Sequence, residues 1–108
     1  MIADFKESEL RKWRNQIIKE VDQLEMDLQE VQLVVKKLNV RREILVQLYE
    51  NSISNSPEQM GLEFELDRLN EFFQERVTEA MELKALCQQR TAAKNLIVKH
   101  IDSELDKF

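Results

Sequence analysis

Glu50-Asn51-Ser52-Ile53-Ser54-Asn55-Ser56-Pro57-Glu58-Gln59-Met60-Gly61 contains the only proline and the only glycine of a 108-residue chain. Ser56 has the side chain of a helix N-cap, and Pro57 falls at the first helical position, where its missing N–H is no loss. Gln59, three residues after Ser56, completes the S-x-x-Q form of a capping box. The stretch therefore predicts that one helix ends near Tyr49 to Asn51 and another begins near Pro57. Gly61 sits close to the start of that second helix, where it is better tolerated than in the middle.

Outward from this break, roughly 45 residues on either side carry no breaker at all. At about 1.5 Å per residue each arm would run on the order of 65–75 Å. Two arms of nearly equal length around one short loop predict an all-α fold, an antiparallel two-helix hairpin in a single module over residues 1–108. Arm one covers about 4–50, the loop about 51–56 and arm two about 57–106. A β-sandwich, barrel or Rossmann-type fold needs many Gly- or Pro-bearing turns, which this chain lacks.

Arm one has an apolar seam, Leu10, Trp13, Ile17, Val21, Leu24, Leu28, Val31, Val35, Leu38, Leu45 and Tyr49. Its spacing alternates three and four apart from a stutter at Ile17, and Arg42 is its one polar member. In arm two, Leu62, Leu66, Leu69, Phe73, Ala80, Leu83, Cys87, Ile97 and Ile101 follow a heptad that Arg76, Arg90 and Lys94 interrupt. Phe72, Val77, Leu86, Ala93 and Leu105 support a shifted register, as in a helix that faces more than one neighbour.

Charge gives a separate indication of direction. Folding about residues 54–55 places residue i near 109 − i. Lys36, Lys37, Arg41 and Arg42 then fall near Glu63, Glu65, Asp67 and Glu71. Lys6, Arg11 and Lys12 fall near Asp102, Glu104 and Asp106, and Glu20, Asp22 and Glu25 near Lys84 and Arg90. Exposed pairs contribute only about 0.2–1 kcal/mol each, but their pattern sets orientation. The same alignment puts Ile17 opposite the small Ala92 and Ala93.

With 16 basic and 21 acidic residues the net charge is −5, a poor match to the phosphates of nucleic acid. No long apolar run points to a membrane span, and no basic region followed by an apolar stretch marks a secretory leader. A single cysteine, Cys87, suits a reducing, cytoplasmic setting. The chain's abrupt end at Leu105-Asp106-Lys107-Phe108 reads as that of a fragment of a longer protein.

The sequence offers no reaction chemistry. His100 and Cys87 are the only residues of their kinds, too few for a zinc site. Cys87 in the seam is a small core residue rather than a nucleophile. Glu63, Glu65 and Asp67 form a solvated acidic face, and no phosphate-binding loop, dinucleotide fingerprint or H-E-x-x-H occurs. The expectation is a protein that is not an enzyme, with no cofactor, no metal and no small-molecule substrate.

Surplus apolar surface is the more informative feature. Met26, Leu33 and Val40 recur every seven residues on the side away from the seam, and Val34, Ile44 and Leu48 widen the surface. Phe72 and Val98 add apolar groups outside the arm-two heptad. Such surface predicts a partner interface at Met26, Leu33, Val40, Phe72 and Val98, with Leu28 and Val35 kept for the intramolecular seam. Two hairpins would cover it as a four-helix bundle.

The segment Leu66 to Cys87, with Leu69-Asn70-Glu71-Phe72-Phe73, resembles the third helix of a spectrin-type repeat, and Trp13 matches the first-helix aromatic of such repeats. The texture is also similar to tektin-like coiled coils. A spectrin-type repeat has two loops where this chain has one break, so no site residue is carried over.

The function expected is a coiled-coil interaction and oligomerisation module of a larger scaffold, tethering or cytoskeleton-associated protein. Its partner would be itself, as a homodimer, or another coiled-coil chain. The alternative is an adaptor that binds anionic lipid or an acidic protein surface through Lys6, Arg11, Lys12 and Arg14 within 6–19 and through Lys36, Lys37, Arg41 and Arg42.

Overall fold

A computed structural model describes residues 2–108. It contains two helices, α1 (Ile2–Glu50) and α2 (Pro57–Leu105), which pack against each other as an antiparallel hairpin. Both boundaries at the break are those expected from the sequence. The single connection excludes the three-helix topology of a spectrin-type repeat.

The loop is held by short-range hydrogen bonds. Ser56 Oγ accepts from the Gln59 N–H at 3.1 Å, as an N-cap does, and Gln59 Oε1 accepts from the Asn55 N–H at 2.8 Å. The return bond of the box thus lands one residue earlier than Ser56, whose own N–H donates to the Ile53 carbonyl at 3.1 Å. Asn55 has φ 59°, the left-handed conformation that Asn tolerates better than most side chains. Ser52 Oγ donates to the Tyr49 carbonyl at 2.6 Å and satisfies one of the last acceptors of α1. At the other end of α2, Lys107 N–H donates to the Glu104 carbonyl and Phe108 N–H to that of Leu105, a tightening that satisfies final carbonyls.

The hairpin's contacts gather into two compact units. One comprises the residues up to Leu28 together with Leu83–Phe108, and the other comprises Gln29–Glu82.

In the first unit Val21 and Ile101 are each 1% exposed and Cys87 is buried. Ion pairs join the two helices. Lys6 Nζ lies 3.5 Å from Glu104 Oε2, Arg14 Nε donates to Asp102 Oδ1 at 2.8 Å, and Arg90 donates to Glu20 Oε2 at 3.0 Å. Lys6 and Glu20 each find a partner one residue from the position given by folding about 54–55. The expected partners of Arg11 and Lys84 differ: Arg11 bonds Glu7 of its own helix, and Lys84 makes no ion pair among the described residues.

Trp13 corrects the expected seam, being 46% exposed. Arg14 is half-buried beside it and reaches Asp102. Consecutive positions differ by about 100° around a helix, so the seam that runs through Leu10, Arg14 and Ile17 turns the indole outward. Ala92 and Ala93 are likewise exposed rather than set against Ile17.

In the second unit Leu38 is buried, and Val31, Val35, Leu45, Leu66, Leu69 and Phe73 are half-buried. Arg42, the polar seam member, donates from Nε to Asn70 Oδ1 at 2.8 Å, with its guanidinium carbon 5.9 Å from the Phe73 ring centroid. Arg76, unlike the exposed Arg42, is half-buried, but leaves the seam by its tip: one terminal nitrogen pairs with Glu79 at 2.8 Å, and the guanidinium carbon lies 5.2 Å from the Phe72 centroid. Its Nε is buried with no partner.

Candidate protein-binding face

The candidate face lies in the second unit and begins with the phase of α1. Placed at about 100° per residue, Leu33, Val40, Ile44 and Leu48 fall within an arc of about 80°. Val31, Val35, Leu38 and Leu45 fall on the opposite half, toward α2. The structure follows this division. Leu33 is 50%, Val40 56%, Ile44 53% and Leu48 52% exposed, whereas the seam residues are half-buried or buried. Val34, grouped with the stripe by sequence, is half-buried.

The same phase decides where the cations go. Lys37 lies within the stripe, with Lys36 on one flank and Arg41 on the other, and all three are exposed. Only Arg42 falls on the seam side. The expected pairing of this cluster with the acidic start of arm two is therefore not formed. Arg42 takes the neutral Asn70, and among the described residues Lys36, Lys37 and Arg41 make no ion pair within 4 Å. Glu63, Glu65, Asp67 and Glu71 make none either. Lys36 and Lys37 point away from α2 and cannot reach its carboxylates, whatever their position along the axis, whereas Arg41 lies on the groove side and still makes no ion pair within 4 Å.

Beside the stripe is an open groove between the helices. Leu38, Leu45 and Leu69 supply its apolar surface, with Phe72 at the edge. Arg41 lines it from α1, and Glu65, Arg68, Glu71 and Glu75 line it from α2. Phe72, expected at a partner interface, is exposed, with Arg76 over its ring.

The other two expected interface residues belong to the first unit. Met26 is exposed. Val98 is half-buried and lines a shallow depression with Ile18, Lys94, Asn95 and Lys99. Exposed apolar residues that the sequence reading did not single out are Met60 and Phe64 near the start of α2. Helical phase offers the signal: both lie roughly opposite Leu66 and Leu69.

Among the described residues no group of His, Cys, Asp and Glu is arranged to hold a metal ion, and no helix is long and apolar enough to cross a membrane. His100 is exposed, its Nε2 3.9 Å from Glu104 Oε1, and Cys87 is a buried free thiol. No protein-family model, curated protein or solved structure matches the chain.

Proposed function

We propose that the hairpin is a non-enzymatic protein-interaction module of a scaffold, tether or cytoskeleton-associated assembly in a reducing intracellular compartment. It binds another helical surface through the outer face of α1. One observation carries this reading: Leu33, Val40, Ile44 and Leu48 form a continuous stripe, each at least half exposed. Among the described residues the buried core is only Val21, Leu38, Cys87 and Ile101. Contiguous apolar surface of this kind marks interaction sites, and a helix face with apolar groups at this spacing suits a second helix packed alongside it.

The lipid-adaptor reading has less support at the first of its two basic clusters. Lys6, Arg11 and Arg14 in the segment 6–19 are each engaged by a carboxylate of the same chain, which reduces the positive field available to an anionic surface.

Photo-crosslinking in the cell of origin tests the proposal. A photoreactive amino acid at Leu33 or Val40 should give protein adducts, and the same group at the exposed polar position Gln32 should give far fewer. Equal yields at all three positions overturn the reading. Adducts to lipid alone replace it with the adaptor reading.

A further inference from the structure

We infer that the groove beside this face takes a second copy of the same chain, seated groove to groove about a two-fold axis. α1 of each copy then lies against α2 of the other. This inference goes beyond the interaction reading above and names the occupant of the groove next to the stripe.

Several charges of the second unit are left unused. Lys37 and Arg41, one turn apart on α1, make no ion pair within the chain, and neither do Glu65 and Glu71 on α2. Arg41, Glu65 and Glu71 line one groove. The second unit thus presents a cationic apolar edge on α1 and, on α2, an edge where Glu65, Glu71 and Glu75 outnumber Arg68, flanking the leucines between them. The identical chain presents the same two edges. When two copies are related by a two-fold axis along the helices, their grooves face each other. The cationic edge of each then meets the acidic edge of the other, and the contact closes on itself without extending into a filament. Leu48, about 20° from Arg41 around α1, lies on the approaching edge, and Leu38, Leu45 and Leu69 receive it. The result is a four-helix arrangement in which neighbouring helices are antiparallel and apolar surface is covered from both sides.

Net charge makes the inference easy to tell from unspecific aggregation. Chains of net charge −5 repel one another, so unspecific association strengthens when salt screens that repulsion. Association through complementary edges weakens instead.

The test is sedimentation equilibrium of the full chain. The expected species is a dimer of the 12.9 kDa chain whose affinity falls about tenfold between low salt and about 0.5 M salt. K37E/R41E and E65K/E71K, each alone, should be monomeric at concentrations where the wild type is dimeric. Mixed one to one they should pair with each other, because both contacts of the heterodimer are again between opposite charges. A wild-type chain that stays monomeric, an affinity that rises with salt, or a mixture that fails to pair each overturns the inference. Circular dichroism checks that the variants remain helical. If they do not, the salt dependence of the wild type decides alone. A monomeric chain whose Leu33 and Val40 photoadducts contain a different protein removes self-pairing and keeps the interaction reading, whereas a salt-sensitive dimer that gives no adducts at Leu33 and Val40 keeps self-pairing and removes the outer-face reading.

Discussion

Arg42 Nε donates to Asn70 Oδ1 at 2.8 Å, so the one cation of the 36–42 cluster that faces α2 is bonded to a neutral side chain. The bond places a full positive charge against an amide oxygen, with the Phe73 ring 5.9 Å from the guanidinium. Charge-assisted bonds are roughly twice as strong as neutral ones, and a carboxylate at position 70 would make the pair ionic at both ends. Asn70→Asp is therefore expected to stabilise the hairpin slightly, by up to about 1 kcal/mol, an effect reduced by salt. Arg42→Ala should destabilise it by about 1 kcal/mol through loss of the bond and of the ring contact. Urea denaturation at two ionic strengths measures both. An Asn70→Asp variant less stable than the wild type at low salt would show that the amide's N–H₂ donors, rather than its oxygen, matter at this position.

The buried core is small, and its members are unequal. Leu38 is buried while Leu28, in the same predicted seam, is half-buried and Leu33 is half-exposed on the opposite face. Removal of a fully buried leucine costs about 2–5 kcal/mol, because lost transfer energy and the cavity left behind add together. Leu38→Ala should fall in that range. Leu28→Ala should fall below it, and Leu33→Ala should lie within about 0.5 kcal/mol of wild type in dilute, monomeric solution. Thermal or chemical unfolding of the three variants establishes the order. Equal losses at Leu38 and Leu33 would contradict the phase assigned to α1.

The seam was legible because its signal is local. Each of Leu10 to Tyr49 needs only its spacing to declare a face, and with the exceptions of Trp13 and the polar member Arg42 the residues of that stripe are buried or half-buried. The loop was legible for the same reason, since Ser56, Pro57 and Gln59 act within one turn. The charge pairs were read less well. Matching residue i with 109 − i considers position along the axis and ignores angle around it. Glu20 and Arg90 happen to satisfy both. Lys36 and Lys37 satisfy the first and fail the second, because their neighbours Leu33 and Val40 fix that side of α1 away from α2, whereas Arg41 lines the groove with Glu65 and Glu71 and still makes no ion pair within 4 Å. Trp13 was misplaced for a related reason: at a stutter two adjacent positions compete for the seam, and sequence spacing alone does not say which yields.

Two loop-proximal residues make opposite predictions about the backbone. Asn55 adopts φ 59°, where a Cβ is disfavoured, although its side chain is one of the better tolerated there. Asn55→Ala should cost about 1–2 kcal/mol, and Asn55→Gly should be neutral or slightly stabilising. Gly61 lies inside α2 without positive φ, and a Cβ built on it would meet nothing within 4 Å. Its freedom serves no turn and no close approach, so it only enlarges the conformational entropy of the unfolded chain. Gly61→Ala should stabilise the hairpin by about 0.5–1 kcal/mol. Melting curves of the three variants suffice, and a destabilised Gly61→Ala would reveal a contact at that position absent from the monomer.

Glu104 supplies a prediction about pH. Its carboxylate accepts from Lys107 Nζ at 3.0 Å and from Lys6 Nζ at 3.5 Å. The Lys107 bond and charge hold its pKa below the ordinary carboxylate value; desolvation, next in size, opposes them, and the bond and charge of Lys6 add a smaller lowering. The folded-state pKa is thus lower than the unfolded one. The stabilisation linked to it is fully present above the unfolded carboxylate pKa, and it is lost as pH falls through the lowered folded value. The loss should therefore occur in the acid range, below about pH 4.3, with no contribution to any change near neutrality. An NMR titration of the Glu104 side-chain carboxyl should give a midpoint below that of an unpaired glutamate. Lys107→Ala should raise that midpoint more than Lys6→Ala does, since Lys107 is the larger cause. Only Lys6 joins α2 to α1, however, so Lys6→Ala should be the variant that flattens the acid limb of the stability curve. Lys107→Ala should leave that limb less affected, because Lys107 lies one turn from Glu104 in sequence and keeps part of the contact in the unfolded chain. If both variants shift the midpoint equally and neither changes the acid limb, the Lys6–Glu104 contact is not formed in solution.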